Sequence, residues 1–183
     1  MIQIRLENIE RIEQLFENTP REAKTVLWRA INRSATAVKT RTSVTIRKHY
    51  IVKAEDVKKR IKIRKASLNN LSAQIRASGP VTPIMKFDVR PTSPKNSQVT
   101  ARVLKQGSRK KIDSGFIART GNGHVNVFTR VGSSRFPIQG RYGPSIAQMM
   151  GKDVLIEDIT DRGQTVLNER LDHELNRLLQ GGV

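Results

Sequence analysis

The stretch GFIARTGNGHVNVFTR, Gly115–Arg130, decides the fold class, because it predicts two neighbouring antiparallel strands. Segments rich in Phe, Ile and Val lie on both sides of a short Gly-Asn-Gly run. Asn122-Gly123 suits a tight primed turn, whose twist matches that of two hairpin strands. The stretch therefore predicts a β-hairpin, with Phe116 and Phe128 in the core of a sheet.

Further strand patterns precede this hairpin. The segment LSAQIRA, residues 71–77, alternates with the period of a strand and turns Leu71, Ala73, Ile75 and Ala77 inward. The segments MKFDVR, residues 85–90, and QVTARVLK, residues 98–105, alternate in the same way. Strands that follow strands favour an α+β fold over a doubly wound one. We expect an antiparallel β-sheet of four to six strands, packed with a long N-terminal helix and a C-terminal helix.

The N-terminal part carries two helical patterns. The first places Ile9, Ile12, Leu15 and Phe16 on one face. The second begins at a capping box, in which Thr19 caps, Pro20 takes the first helical position and Glu22 follows three residues after the cap. Its apolar rhythm continues to about His49. The second half, residues 40–48, is rich in β-branched residues, which are weaker helix formers, so we expect a kink or an early end there.

Shorter helical patterns and a long C-terminal one complete the chain. Residues 54–61 and Ser145–Met150 predict short helices, and an apolar stripe from Leu155 to Leu178 predicts a long one, with Gly163 as its weak point. We expect a single domain over residues 1–183. Its parts are a helical N-terminal part (1–66), a β-sheet part (67–135) and a C-terminal helical part (144–180).

The charge of the chain is concentrated in its middle. The formal net charge is +18, but residues 23–151 hold 27 Lys and Arg against four acidic residues, a net +23. Both ends are acidic by comparison. Such self-repulsion destabilises a compact state unless polyanions or acidic neighbours offset it. The chain has no cysteine and no apolar stretch long enough to span a membrane, so we expect a reducing cytoplasm or a particle assembled there.

The sequence offers little for catalysis. The three histidines, His49, His124 and His173, have no partner at metal-ligand spacing, and the acidic residues form no obvious carboxylate pair. The segment GNGH lacks the Lys-Ser/Thr ending of a phosphate-binding loop. We therefore expect no enzyme, no catalytic residue, no metal and no cofactor.

The strongest functional signal is a basic run between Lys58 and Lys65, interrupted only by Ile61 and Ile63. One interpretation is a solvated face, because the alternation can turn both isoleucines inward. The second is contact with the phosphates of a polyanion, without reading of sequence. The third is docking on an acidic protein surface. The candidate binding residues are Lys58, Lys59, Arg60, Lys62, Arg64 and Lys65, with Arg109, Lys110 and Lys111 as a second basic loop.

Three segments together resemble a known family. They are RAINRSATAVKTRTSVTIRKHYIVKAEDVKKRIKIRKAS, residues 29–67, LSAQIRASGPVTPIMKF, residues 71–87, and the region from GFIART to GPSIAQMM, residues 115–150. Their order resembles the minor tail protein Z family of long-tailed phages and prophages, also called tail completion proteins. The resemblance covers roughly residues 23–150.

This resemblance implies a structural role rather than chemistry. Such proteins act late in tail assembly, at the head-proximal end of the tail tube, so that heads join and DNA is positioned for ejection. The implied state is a homo-oligomer, a hexameric ring in the neck of the virion. The implied partners are the tail terminator, the tail tube, the head-tail connector and the end of the phage DNA, without a membrane or a small-molecule substrate.

Two alternatives remain open at this stage. A non-specific double-stranded DNA-binding or packaging accessory protein would bind free duplex with an affinity that falls steeply as salt rises. An enzyme such as a nuclease would need clustered carboxylates and a metal, for which the sequence offers no cluster.

Overall fold

The computed structural model describes residues 2–4, 20–94 and 97–180. The helical pattern predicted at Ile9–Phe16 and the cap at Thr19 lie outside these residues. The helices are α1 (Pro20–His49), α2 (Ala54–Arg60), α3 (Ile146–Met150) and α4 (Asp153–Leu179), with a 3-10 turn at Ile84–Lys86.

Helix α1 runs through the β-branched segment to His49, so the early end expected there is wrong. Thr42, Thr45 and Ile46 are buried in this half, and burial of the face outweighs their weak helix propensity. The Thr42 hydroxyl donates to the Val38 carbonyl at 2.8 Å, which satisfies it within the helix.

The strands of the described residues form four small antiparallel sheets. Their bounds are β1 (Ile2–Ile4), β2 (Ile61–Arg64), β3 (Ala73–Ala77), β4 (Thr82–Pro83), β5 (Asp88–Arg90), β6 (Thr100–Arg102), β7 (Lys110–Lys111), β8 (Phe116–Arg119), β9 (Val125–Arg130), β10 (Ile138–Gly140) and β11 (Tyr142–Gly143). The sheet orders are β1-β3-β2, β10-β9-β8, β11-β4 and β5-β6-β7. The α+β class, the antiparallel pairing and a long helix towards each end are confirmed. The strands are shared among small sheets because most of them are only two to four residues long.

The chain divides into two compact units. The first comprises Met1–Thr45, Ile61–Ala77 and Met150–Val183, and the second comprises Ile46–Arg60 and Ser78–Met149. The second unit holds 18 Lys and Arg against four acidic residues, a net +14. The first holds 16 against 12, a net +4. The positive charge of the molecule therefore resides mainly in the second unit.

In the first unit, α1 and α4 pack in antiparallel directions. The Ser34 hydroxyl donates to the Gly163 carbonyl at 3.0 Å, and the guanidinium of Arg41 lies 2.5 Å from the Asp158 carboxylate. A Cβ on Gly163 would lie 2.9 Å from Cγ2 of Val38. The glycine predicted to weaken α4 thus permits a close approach of the two helices.

In the second unit, the predicted hairpin forms between β8 and β9, with Phe116 opposite Phe128 and their ring centroids 6.3 Å apart. The turn differs from the expected primed type. Gly123 N–H donates to the Thr120 carbonyl, and Gly123 alone in this turn has a positive φ, +82°. This is a three-residue loop ending in a left-handed glycine, in which Asn122 accepts from the Thr120 hydroxyl and the His124 N–H rather than adopting a left-handed conformation itself.

Candidate functional site

The structure divides the predicted basic run between a helix and a strand. Lys58, Lys59 and Arg60 form the last turn of α2 in the second unit. Lys62 and Arg64 lie on β2 in the first unit, and Lys65 follows it. All six side chains are exposed.

On α2, the two acidic residues of the first turn each form an ion pair. Glu55 and Lys59 form an i,i+4 pair with 2.6 Å between carboxylate and ammonium. This hydrogen bond lowers the pKa of Glu55 and raises the pKa of Lys59. Asp56 instead pairs with Lys86, from the 3-10 turn. Arg60 has no ion-pair partner among the described residues.

On β2, alternation separates the charged face from the core, as predicted. Ile61 is buried against β3, whereas Lys62 and Arg64 are exposed. The register places Lys62 directly opposite Arg76 of β3, which is also exposed. Like charges at directly opposite positions of a sheet are destabilising, so the fold keeps three cations on this face at a cost.

The second predicted basic loop is not uniform. Arg109 is bound internally, because its guanidinium donates to the carboxylate and to the backbone carbonyl of Asp88. The hydrogen bond with Arg109 is the main reason that the pKa of Asp88 is lowered. Lys110 and Lys111 lie exposed on the edge strand β7. Lys110 and Lys111 are therefore available to a partner, whereas Arg109 is engaged by Asp88.

Sequence reasoning missed a cluster of arginines around a buried acid in the first unit. The Glu174 side chain is 1% exposed, and the guanidinium groups of Arg29, Arg33 and Arg177 lie 3.6–4.0 Å from its carboxylate. The i,i+4 spacing of Arg29 and Arg33 on α1 was a readable signal. The burial of Glu174 also had a signal, because Glu174 follows the buried Leu167 and Leu171 at helical spacing on α4.

Lys65 contributes to a groove of about 300 Å³ beside this cluster. Arg29 and Arg33 line the same groove, together with Trp28 and Asn32. Trp28 Nε1 donates to the Ala66 carbonyl at 2.9 Å, and Asn32 bonds both the N–H and the carbonyl of Ala66. These bonds fix the segment that carries Lys65 against α1.

A larger cleft, of about 720 Å³, lies in the second unit. It is lined by Asp56, Lys59 and Arg60 of α2, by the segment Pro80–Pro83 and by Tyr142. Lys86 and His124 also border it. Two of the predicted site residues, Lys59 and Arg60, therefore face a concave surface rather than an open one.

The described part of the chain shows neither a group of metal-ligating side chains nor a membrane-spanning helix. Residues 2–4, 20–94 and 97–180 contain no group of three or more His, Cys, Asp or Glu placed to hold a metal ion. Within these same ranges, no helix has the length and apolar character required to cross a membrane.

Comparison with known proteins gives a consistent result. The family model described as Prophage minor tail protein Z (GPZ) matches residues 7–181. A curated relative, the tail completion protein of Escherichia phage N15, is 27% identical over 139 residues, which cover 72% of this chain and 76% of the relative. No solved structure matches the chain significantly. Because the family model spans nearly the whole sequence, the chain belongs to the prophage minor tail protein Z family.

Proposed function

We propose that this protein completes the head-proximal end of a phage tail tube, enables head-tail joining and positions the DNA end. A structural role in a phage tail follows from the family. The finer proposal places the protein in the neck of the virion, after assembly in the host cytoplasm. There it forms a homo-oligomer, a hexameric ring, in contact with the tail terminator, the tail tube and the head-tail connector.

The observation that carries this proposal is the unneutralised charge. Lys58, Arg60, Lys62, Arg64, Lys65, Lys110 and Lys111 are exposed, and none has an ion-pair partner within the part of the chain that the structure describes. The second unit carries a net +14 over 87 residues. A protein at the neck of a tail faces both a DNA end and other virion proteins, and phosphates or carboxylates there would offset this charge.

The like-charge pair of Lys62 and Arg76 supports the same view. An isolated soluble domain would gain stability from an acidic residue at either position, since opposite charges across a sheet attract. Contact with an anionic partner would offset the repulsion among the three cations of this face.

The experiment is complementation of a phage or prophage that lacks this gene. The variant Lys59→Glu, Lys62→Glu, Arg64→Glu reverses three cations of the run. We expect full-length tails that join heads poorly, seen by electron microscopy as separate tails and DNA-filled heads, with a loss of infectious titre.

A matched control keeps the same change of net charge. Arg21, Lys48 and Lys152 are exposed cations outside the run, and all three are reversed to Glu in the control variant. We expect this control to restore titre. A normal titre from the variant of the run, or an equal defect in the control, would contradict the proposal.

A further inference from the structure

The cleft of the second unit combines features that neither a solvated face nor a DNA-contacting ridge requires. It encloses about 720 Å³, within the range of specific ligand sites. Its lining combines the cations Lys59, Arg60 and Lys86 with the apolar side chains of Val81, Tyr142 and Ile146. Such a mixed concave surface indicates a ligand that is itself both charged and apolar.

Arg60 is held in place at the cleft by contacts of its backbone and of its side chain. The Arg60 carbonyl accepts from the Ser78 N–H at 3.1 Å, which ties the end of α2 to the segment that follows β3. The Arg60 side chain lies over Gly79, where an added Cβ would approach its Cδ to 2.8 Å. Gly79 has a φ of +137°, a conformation that favours glycine. The guanidinium is therefore held by its aliphatic stem and not by an acid.

The acidic residues near the cleft do not cancel its charge. Asp56 is engaged by Lys86, and Glu55 by Lys59. Of the three cations that line the cleft, Lys59 and Lys86 are paired with Glu55 and Asp56, so Arg60 is the lining cation without an acidic partner among the described residues. A ligand with carboxylates meets Arg60 as its first charged partner, and Arg groups bind carboxylates in a bidentate fashion.

The lining of the cleft also exposes apolar area. Val81 is 45% exposed and Tyr142 is 52% exposed, although both are large hydrophobic side chains. Pro80 and Pro83 flank the segment that carries Val81, and their fixed φ angles limit its freedom. The Tyr142 ring lies over Gly140, where an added Cβ would be 3.0 Å from the phenol oxygen. Concave, ordered apolar area of this kind binds an apolar side chain.

Nucleic acid fits this cleft less well than protein. Duplex DNA presents its phosphates on a convex surface, and its thymine methyl groups lie in the major groove rather than beside the phosphates. Single strands are bound on successive aromatic platforms, whereas Tyr142 is the one Phe, Tyr or Trp side chain among the residues that line the cleft. A peptide supplies carboxylates and an apolar side chain together.

We propose that this cleft binds an extended acidic peptide segment that carries a large apolar side chain, contributed by a neighbouring virion protein. The carboxylates contact Arg60 and Lys59, and the apolar side chain packs between Val81 and Tyr142. This proposal rests on the proposed function, since it names the class of partner for part of the same basic run. It assigns Lys59 and Arg60 to protein docking rather than to DNA.

The experiment follows the amide signals of the isotope-labelled full chain by NMR at physiological salt. The probe is the acetylated, amidated peptide Glu-Phe-Glu-Leu-Glu. One comparison peptide replaces Phe and Leu by Ser, a second replaces Glu by Lys, and a short DNA duplex is the third comparison. We expect the first peptide to shift signals of residues 59–60, 80–83 and 142, and each comparison to shift them far less.

Two variants and a matched control complete the test. Arg60→Glu and Tyr142→Ser should each raise the dissociation constant of the probe about tenfold or more, which corresponds to about 1.4 kcal/mol. Lys105→Glu reverses an exposed cation of the same unit that does not line the cleft, and it should leave binding nearly unchanged. Unaltered signals of the β8–β9 hairpin show that each variant is folded.

The outcomes separate this proposal from the function on which it rests. Equal binding of the Ser-substituted peptide, an equal loss of binding in the Lys105→Glu variant, or a stronger response of these signals to duplex overturns the peptide cleft. Each of those results leaves head-tail joining to be decided by complementation. If the parent protein binds the peptide but the Lys59→Glu, Lys62→Glu, Arg64→Glu variant restores a normal titre, the neck role is rejected and the cleft is retained.

Discussion

At the scale of single residues, Gly163 sets the distance between α1 and α4. A Cβ at this position would lie 2.9 Å from Val38 Cγ2, and Val38 is buried and stiff about its χ1 angle. Gly163→Ala gains up to about 1 kcal/mol of helix propensity, but overpacking in a close-packed core costs about 1–3 kcal/mol. We expect a net loss of unfolding free energy, measured by urea denaturation.

A double-mutant cycle checks the cause. Val38→Ala removes the atom that the new methyl group meets, so the double variant should lose less stability than the sum of the two single variants. Gly132→Ala, where an added Cβ meets nothing within 4 Å, is the matched control. A Gly163→Ala protein that is more stable than the parent would show that the helices separate at no cost.

Asp88 provides a pH-dependent contribution to stability. Its carboxylate accepts from Arg109 and lies 3.2 Å from the Arg102 guanidinium, and its pKa is lowered in the folded state. A lowered folded pKa contributes stability above the unfolded pKa, near 3.9, and this stability is lost as the pH falls through the folded value. Asp88→Asn should therefore cost about 1–2 kcal/mol at neutral pH.

The pH profile distinguishes this mechanism from a general packing defect. The difference in unfolding free energy between parent and Asp88→Asn should shrink as the pH falls below about 4, because both proteins then lack the charged carboxylate. Denaturant titrations at neutral and acidic pH measure it. A difference that is constant across this window would contradict the assignment to Asp88.

At the scale of elements, a substitution in the β2–β3 pair should change stability and infectivity in opposite directions. Lys62→Glu places a carboxylate directly opposite Arg76, and an opposite-charge pair across strands is worth roughly 0.2–1 kcal/mol. We expect the midpoint of thermal unfolding to rise while infectious titre falls in the complementation assay. Lys62→Gln should fall between the parent and Lys62→Glu in both measurements.

The contrary result is equally clear. If Lys62→Glu is more stable and also fully infectious, the cations of this face are a solvated surface, and the anionic partner is not needed there. A loss of both stability and titre would point to damage of the sheet instead.

The elements themselves were largely readable from the sequence, whereas their partners were not. Period-2 alternation identified β3 and the inward isoleucines of β2. The Phe-, Ile- and Val-rich segments on both sides of Gly-Asn-Gly identified the β8–β9 hairpin. The turn of the hairpin was assigned to the wrong type, since Asn-Gly is compatible with several loops and the closing bond from Gly123 decides among them. The continuation of α1 to His49 depended on burial that local propensity does not encode.

The contacts within the candidate site were even harder to predict from the sequence than the partners of the elements. Exposure of the six cations from Lys58 to Lys65 followed from their pattern, but the internal bond of Arg109 to Asp88 depends on the pairing of β5, β6 and β7. Arg76 joins the site only through the register of β3 with β2. The cleft beside Arg60 is built from segments far apart in sequence, so no local pattern could indicate it.

At the scale of the whole molecule, most of the charge belongs to one unit and has no internal compensation. The second unit carries a net +14 of the total of +18. Of its four acidic residues, Glu55, Asp56 and Asp88 are already engaged by cations, and the fourth, Asp113, can offset only one further charge. Further neutralisation therefore has to come from ions or from partners outside the chain.

This charge imbalance predicts how the isolated protein responds to salt. Raising sodium chloride from about 0.01 to 0.15 M shortens the screening length from about 30 to about 8 Å. Repulsion among the cations of the second unit weakens, and so do the attractive ion pairs. Because the cations outnumber the acids by 18 to four in that unit, the repulsive change should dominate. Thermal unfolding should then shift upward by about 2–4 °C for each kcal/mol gained.

A variant tests whether the effect arises where the charge lies. Lys110→Gln with Lys111→Gln removes two exposed cations of the second unit without touching its ion pairs, so the gain with salt should be smaller than in the parent. Lys24→Gln with Lys152→Gln removes two exposed cations of the nearly balanced first unit and should leave the gain unchanged. An unfolding midpoint that falls as salt rises would mean that attractive pairs govern the fold. In that case the isolated chain would already balance its own charge, and the basic surface would require no anionic partner for stability.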